Sequence, residues 1–229
     1  MSNKKLPLKD VVHILREHFG SPQRSPTDEP FEMILLENVA YLASPARKRE
    51  AFEVLKNTVG STPAAILAAD REALERVAAH GILKATFTSK LQECARIAMV
   101  RFGGNLGALT EQPLDAAKRV LRAFPGIGEP GADKILLFLG RHAQLAPDSN
   151  ALRVLVRLGL VREEKSYART YANSRIVDTG LRATPSFMQE AHLLLQRHGQ
   201  TLCKRTAPRC DACPLASGCD YAHQNATVA

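Results

Sequence analysis

The 229-residue sequence has no apolar run long enough to cross a membrane. Its longest apolar stretches, at 33–36 and 135–139, fall far short of the roughly 20 residues that a membrane-spanning helix needs. The basic N-terminus is followed by Leu-Pro-Leu-Lys-Asp at 6–10 and not by the apolar core of a signal peptide. We therefore expect a cytoplasmic protein that does not associate with membranes.

Signals for β-strands are also nearly absent. Apolar residues recur at helical spacing, as in 11–15 and 33–40, and glycine and proline breaks separate stretches of helix length. The pattern predicts an all-α protein of about ten helices. We expect two helical lobes, one over 23–142 and a second that combines 1–22 with 143–229.

Cysteine is scarce and unevenly distributed. Cys94 stands alone in a helical stretch, where a packed core residue is expected. The other four, Cys203, Cys210, Cys213 and Cys219, have the spacing C-x6-C-x2-C-x5-C, and a four-thiolate set this compact is typical of a metal site. The spacing alone does not choose between zinc and an iron–sulfur cluster.

Acidic residues are outnumbered by basic ones. Lysine and arginine total 31 against 23 aspartate and glutamate residues, which gives a formal net charge of +8. This balance favours a polyanionic partner such as a nucleic acid, although many basic soluble proteins bind none.

A glycine-rich turn, Pro-Gly-Ile-Gly-Glu-Pro-Gly at 125–131, lies between two apolar helical stretches. Gly126 and Gly128 permit a sharp turn, and the first amides of the second helix point outward with partial positive charge. The arrangement predicts a site that binds phosphate without sequence preference, with Ile127 packed inward. An αα-hairpin without a ligand would have the same composition.

The hairpin belongs to a longer pattern. The motif L-x-x-F-P-G-I-G at 121–128 closely resembles the helix-hairpin-helix of the endonuclease III superfamily of DNA glycosylases, and P-D-S-N-A-L-R-V at 147–154 is similar to the family segment that follows it. The cysteine segment looks like the family's [4Fe-4S] loop. The resemblance covers 30–221 and is weakest over 163–185. It implies a monomeric DNA repair enzyme that binds double-stranded DNA, associates with the nucleoid if bacterial, and contains a [4Fe-4S] cluster.

The resemblance assigns catalysis to Asp148. A carboxylate near the anomeric carbon stabilises the positive charge that builds on the sugar as the N-glycosidic bond breaks, and it can orient or deprotonate the attacking water. Taken alone, an aspartate between a proline and an apolar helix is usually a helix N-cap.

Pro130 departs from the family pattern. Relatives that also cut the strand have a lysine at this position, two residues after the second hairpin glycine, and its amine forms a Schiff base with the sugar. Proline has no such amine, so we expect a monofunctional glycosylase. Lys134, one turn further on, is an alternative amine for a bifunctional glycosylase/AP lyase. A catalytically silent binder of damaged DNA and a zinc-bound DNA adaptor are two further alternatives.

Glu37 lies where the adenine- and thymine-mismatch glycosylases of the superfamily place an acid. An acid in an apolar helix is costly to bury unless it is paired or protonated, so we expect a raised pKa and proton donation to the departing base. A solvent-facing or capping Glu37 is the alternative. Asn38 and Tyr41 are expected to contact a flipped base, Leu42 lies where relatives insert a polar side chain into the duplex, and Ile82 resembles the family's apolar wedge.

The expected DNA contacts come from the hairpin and from the basic loop between the first two cysteines. They are Gly126, Ile127, Gly128, Pro130, Gly131, Lys204, Arg205 and Arg209. Adenine-specific relatives have an extra C-terminal domain, whereas this sequence ends ten residues after Cys219. We therefore expect the substrate to be a damaged base or a mismatched one, namely uracil or thymine in a mismatch or a damaged pyrimidine.

Overall fold

The computed structural model describes residues 6–40 and 43–226. Every regular element within these ranges is helical, which confirms the all-α prediction. The α-helices are α1 Leu8–Phe19, α2 Pro30–Asn38, α3 Pro45–Thr58, α4 Pro63–Ala68, α5 Arg71–Ala78, α6 Lys84–Phe102, α7 Leu114–Leu121, α8 Glu129–Phe138, α9 Ser149–Arg157, α10 Tyr167–Asn173, α11 Pro185–Thr201 and α12 Asp220–Ala226. Short 3-10 helices occupy Gly107–Thr110, Ser174–Ile176, Cys210–Ala212 and Ala216–Gly218.

The structure has more helices than the expected ten. One reason is that 63–78 forms two short helices, α4 and α5, and not one. The Asp70 side chain accepts a hydrogen bond of 2.7 Å from the Ala73 amide and so begins a new helix at Arg71. None of the helices in the described ranges has both the length and the apolar character that a bilayer crossing requires.

The chain divides into two compact units. The hairpin unit is Ser25–Arg141, and the cysteine unit combines the described residues of Met1–Arg24 and His142–Ala229.

The hairpin unit is built around α6, its longest helix, which packs against α2, α4 and α5. Proline at its first position and the Glu29 carboxylate, which accepts from the Glu32 amide, begin α2. Its apolar side chains then join one core with residues such as Phe52 and Leu91, which are fully buried. Burial of each such side chain stabilises the fold by about 1.5–3 kcal/mol.

The cysteine unit is centred on α11, which packs against α9 and α1. Fully buried leucines such as Leu155 and Leu194 fill its interior. Arg16 of α1 makes a two-pronged ion pair with Glu190 of α11, with both nitrogen–oxygen distances at 2.6 Å. This pair links α1 to α11 at the partly exposed edge of their contact.

An ion pair between the two helices and packing of the turn into the core stabilise the turn between α7 and α8. Lys118 of α7 forms a 2.5 Å ion pair with the buried carboxylate of Asp133 in α8. Ile127 is 5% exposed and belongs to the core, so the inward packing expected of it is confirmed. Gly126 has a φ of +80°, and a Cβ atom at this position would overlap Oδ1 of Asn38. A glycine is therefore required here both by conformation and by space.

Replacement of Gly126 by alanine tests this close approach. Gly140→Ala is the matched control, because Gly140 also has a positive φ but nothing lies within 4 Å of its ideal Cβ position. We expect Gly140→Ala to lower the free energy of unfolding by about 1–2 kcal/mol through backbone strain. Gly126→Ala should cost about 1–3 kcal/mol more, because a neighbour must also move. Equal losses in urea denaturation would contradict the proposed contact.

Candidate active site and nucleic-acid interface

The hairpin turn presents backbone at the surface. Gly126 and Gly128 are exposed, while Pro130 and Gly131 are partly buried. Gly128 is the N-cap of α8 and offers no side chain to the first amides of the helix. Pro130 has no N–H, and the Ala132 amide donates to the Gly128 carbonyl at 2.9 Å. The partial positive charge of the helix end still favours an anion beside the turn.

Asp148 is the N-cap of α9 in the cysteine unit. Its Oδ1 accepts hydrogen bonds from the amides of Asn150 and Ala151, at 2.9 and 2.8 Å. Its Oδ2 accepts from Nε2 of Gln196 in α11 at 2.8 Å and from the Asn150 side chain at 3.3 Å. Asp148 therefore caps α9, as the sequence indicates, and its hydrogen bonds also fix the orientation of the carboxylate.

The surroundings of Asp148 keep its carboxylate ionised. Burial alone would raise the pKa of Asp148, but the charge of His192 and hydrogen bonds from Ala151, Gln196 and Asn150 outweigh it and bring this pKa below its ordinary value. Nδ1 of His192 lies 2.7 Å from the Ala146 carbonyl oxygen, so it carries a hydrogen and donates it. Asp148 is thus suited to stabilise a cation at neutral pH.

Tyr167 is a further side chain beside Asp148 that the sequence analysis did not identify. Burial, and after it the charge of Asp148, raises the pKa of Tyr167. Tyr167 as a residue is 48% exposed, and its ring stacks on that of the buried Tyr171, with centroids 6.2 Å apart and planes at 21°. Tyr167, Gln196 and His192 are brought to Asp148 by tertiary contacts, and no local motif marks them.

Glu37 is paired in the structure. Its Oε1 lies 2.5 Å from Nζ of Lys134 in α8, with 18% of the glutamate side chain and 23% of the lysine side chain exposed. An acid buried in this apolar helix needs either a partner or a proton, and Lys134 is the partner. Lys134 is correspondingly engaged with a carboxylate and is not an isolated amine.

Asn38 is 1% exposed, so it has almost no surface to offer a base. Its Nδ2 donates to the Ile34 carbonyl at 3.1 Å and lies 3.8 Å from Sγ of Cys94, while its Oδ1 meets the backbone at Gly126. The structure gives Asn38 a place under the hairpin and not in a base pocket. It was expected in the pocket because its position along α2 does not reveal which neighbour covers it.

Tyr41 and Leu42, the other expected base contacts of this segment, lie outside the described residues. The loop that precedes α6 carries the expected wedge. Ile82 is 53% exposed, and its neighbour Leu83 is 59% exposed with a φ of +57°. An exposed leucine in a left-handed conformation is uncommon and marks this tip as strained.

The four C-terminal cysteines line one pocket. Arg157 of α9 donates to Sγ of Cys203 at 3.3 Å and to the Lys204 carbonyl at 2.7 Å, and Sγ of Cys219 lies 3.3 Å from the Arg157 carbonyl. Four thiols around one space are the donor set that a [4Fe-4S] cluster takes. Among the residues the structure describes, no three histidine, cysteine or acidic side chains are arranged to hold a single metal ion.

Cys94 is separate from this group. It is fully buried in α6, and burial raises the pKa of its thiol to about 12. The packed role expected for it agrees with this position.

The loop between Cys203 and Cys210 presents its basic side chains to solvent. Lys204, Arg205 and Arg209 are all exposed. The loop backbone is fixed by arginines of α9: Arg153 donates to the Cys203 carbonyl at 3.0 Å, and Arg157 donates to the Arg205 carbonyl at 3.1 Å. The basic side chains therefore project from a fixed backbone.

Comparison with solved structures defines the class of fold. The chain superposes on endonuclease III in a non-covalent complex with DNA with a TM-score of 0.74 and 18% identity, covering 97% of this chain and 99% of the other. It superposes on a thermostable thymine-DNA glycosylase with a TM-score of 0.71 and 15% identity, covering 97% and 99%. The protein therefore has the all-helical fold shared by these glycosylases.

Comparison with sequences identifies the family. Identity to endonuclease III of Sulfolobus acidocaldarius is 30% over 177 residues, which is 75% of this chain and 73% of that protein. Identity to endonuclease III of Rickettsia conorii is 31% over 103 residues, less than half of either chain. No family model matches. The chain belongs to the endonuclease III family.

The environment of Asp148 is tested by Gln196→Leu, which removes one donor to Oδ2. We expect the pKa of Asp148 to rise toward its ordinary value. NMR titration of the Asp148 carboxyl carbon measures this pKa. Because the folded-state pKa is lowered, ionised Asp148 stabilises the fold above the ordinary aspartate pKa, and this contribution disappears as the pH falls through the folded-state pKa. The variant should lose part of it. Gln200→Leu, one turn along α11, is the control, and an equal shift there would contradict the assignment.

Proposed function

We propose that this protein is a DNA glycosylase that hydrolyses the N-glycosidic bond of a damaged or mismatched base in double-stranded DNA. The observation that carries the proposal is the ionised, fixed carboxylate of Asp148, in a chain of the endonuclease III family that also has an exposed hairpin turn at the N-terminal end of α8. The hairpin amides bind a backbone phosphate, and Asp148 acts on the sugar.

The reaction uses water as the nucleophile. As the bond between the base and C1′ of the sugar breaks, both bonding electrons leave with the base and positive charge develops on the sugar ring. The Asp148 carboxylate stabilises this charge and accepts a proton from the water that adds to C1′. The departed base takes up a proton from its surroundings, and an abasic site remains.

We further propose that the enzyme is monofunctional. The position of the lyase lysine in strand-cutting relatives is occupied here by Pro130, which has no amine. Lys134 is held by Glu37 at 2.5 Å, and a lysine attacks a sugar only as a free, deprotonated amine. The abasic strand should therefore stay intact after base release.

A panel of duplexes, each with one candidate lesion, tests this proposal. Each sample is divided between direct electrophoresis and electrophoresis after hot alkali. Strand breaks that appear only after alkali are expected. Asp148→Asn should slow base release by about 10²–10⁴-fold while DNA binding is kept. Asp211→Asn, an exposed aspartate of the same unit, is the matched control.

Two outcomes would contradict the proposal. Breaks without alkali, together with a borohydride-trapped adduct, would identify a lyase. Binding without base release from any duplex, in wild type and variant alike, would identify a silent binder of damaged DNA.

We also propose that Cys203, Cys210, Cys213 and Cys219 hold a [4Fe-4S] cluster. The support is the shared pocket and the four-thiol donor set. Such a cluster would supply cross-links that fix the C-terminal loop, and with it the basic side chains expected to contact phosphate. No step of base release is assigned to it.

The cluster proposal predicts a brown protein with visible absorption and iron bound in a four-to-one ratio to protein, as four cysteine ligands to one [4Fe-4S] centre require. Cys213→Ser should reduce the iron content and weaken DNA binding, while Cys94→Ala should keep both. A colourless protein with one zinc ion per chain would favour the zinc-bound adaptor and overturn the cluster.

A further inference from the structure

The carboxylate of Asp148 accepts as many hydrogen bonds as an ionised carboxylate can take. The amides of Asn150 and Ala151 donate to Oδ1 at 2.9 and 2.8 Å. The side chains of Gln196 and Asn150 donate to Oδ2 at 2.8 and 3.3 Å. A carboxylate has about four lone-pair positions, and these donors occupy all of them. A water molecule must therefore replace one donor before it can give a proton to Asp148.

The side chain of Asn150 is the donor that is most readily replaced. Its distance of 3.3 Å to Oδ2 is the longest of the four and exceeds the usual range of roughly 2.7–3.2 Å. The two amides belong to the first turn of α9 and cannot leave unless that turn unwinds. Gln196 is closer, at 2.8 Å. The position at Oδ2 that is easiest to open is thus next to the Gln196 carboxamide.

The orientation of the Gln196 carboxamide follows from the charge of Asp148. An ionised carboxylate only accepts hydrogen bonds, so Nε2 of Gln196 must face Oδ2, and Oε1 must point away from it. Among the described residues none donates to Oε1, and this atom is not sealed from solvent, since Gln196 is partly exposed. Gln196 therefore presents an accessible acceptor beside the carboxylate.

We propose that Gln196 is a catalytic residue that binds the attacking water together with Asp148, an inference that rests on the proposed glycosylase function. The water replaces the side-chain donor of Asn150. It donates one hydrogen to Oδ2 of Asp148 and the other to Oε1 of Gln196. Because two acceptors hold both hydrogens, a lone pair of the water oxygen is directed away from them, toward the sugar. Asp148 and Gln196 both belong to the cysteine unit.

The proposed step balances in atoms and electrons. The water oxygen forms a bond to C1′ of the sugar as the bond from C1′ to the base breaks, and the electron pair of that bond leaves with the base. One proton passes from the water to the Asp148 carboxylate, which becomes neutral. The second hydrogen stays on the new hydroxyl group of the abasic sugar, where Oε1 of Gln196 accepts its hydrogen bond. Gln196 itself gains and loses no proton.

Two substitutions separate the donor role of Gln196 from its acceptor role. Gln196→Lys keeps a donor to Asp148 but removes the acceptor, because an ammonium has three donors and no acceptor. Gln196→Leu removes both. In single-turnover measurements we expect both variants to release base about 10-fold more slowly than wild type, the effect of one lost hydrogen bond. Gln200→Lys and Gln200→Leu, one turn along α11 and also partly exposed, are the matched controls and should keep the wild-type rate.

Competition between water and methanol tests the acceptor role directly. Methanol has one hydroxyl hydrogen, which it can donate to Asp148, and no second hydrogen for Gln196. Wild-type protein should therefore favour water at C1′, and Gln196→Lys and Gln196→Leu should reduce this preference by about 10-fold. Mass spectrometry measures the ratio of abasic sugar to methyl glycoside. This ratio is set in each turnover, so it does not depend on the fraction of the protein that is folded.

The outcomes distinguish failure of this inference from failure of the proposed function. No base release by wild-type protein from any duplex overturns both. Base release by wild type, with Gln196→Lys at the wild-type rate and product ratio, overturns the inference alone. A slower Gln196→Lys enzyme with an unchanged product ratio also overturns it, because the substitution then acts on folding or on Asp148 and not on the water.

Discussion

The hairpin unit depends on the close approach of Gly126 to the side chain of Asn38. The side-chain amide of Asn38 is buried, and its Oδ1 has no hydrogen-bond donor among the described residues. The same oxygen occupies the space that a Cβ at residue 126 would need. This contact sets the turn against α2. The next residue toward the N-terminus is Glu37, and α8 begins directly after the turn, so the same contact fixes where Glu37 and Lys134 meet.

Asp148 combines two demands on one carboxylate. As an N-cap it must be ionised or a strong acceptor, and it accepts from the amides of Asn150 and Ala151. As the group proposed to stabilise a cation, it must remain charged although it is partly buried. Both demands are met by the same donors, because each hydrogen bond favours the charged form and together with His192 they outweigh burial. A capping role is therefore no argument against a chemical one here.

The sequence was sufficient to predict the helical class, the hairpin and the cap, because each has a local signature. Helical spacing marks the buried faces, two glycines mark the turn, and an aspartate before an apolar helix marks α9. It was insufficient for contacts between segments far apart in the chain. Gln196 reaches Asp148 across 48 residues, and Lys134 reaches Glu37 across 97. Spacing within a helix specifies a face but does not name the partner opposite it.

This limit explains why the sequence did not reveal that Asn38 is buried while its neighbour Glu37 is partly exposed. Adjacent residues of an α-helix point about 100° apart, so one can lie at an accessible edge while the other enters the core. A resemblance aligns both with a base pocket, but the local packing separates them. Asn38 is covered by the hairpin backbone, and Glu37 keeps an exposed edge beside Lys134. Because Gly126 has no side chain, the turn approaches α2 closely enough to cover Asn38 without covering Glu37. The exposed edge of the Glu37–Lys134 pair is therefore preserved by a glycine that is not part of the pair.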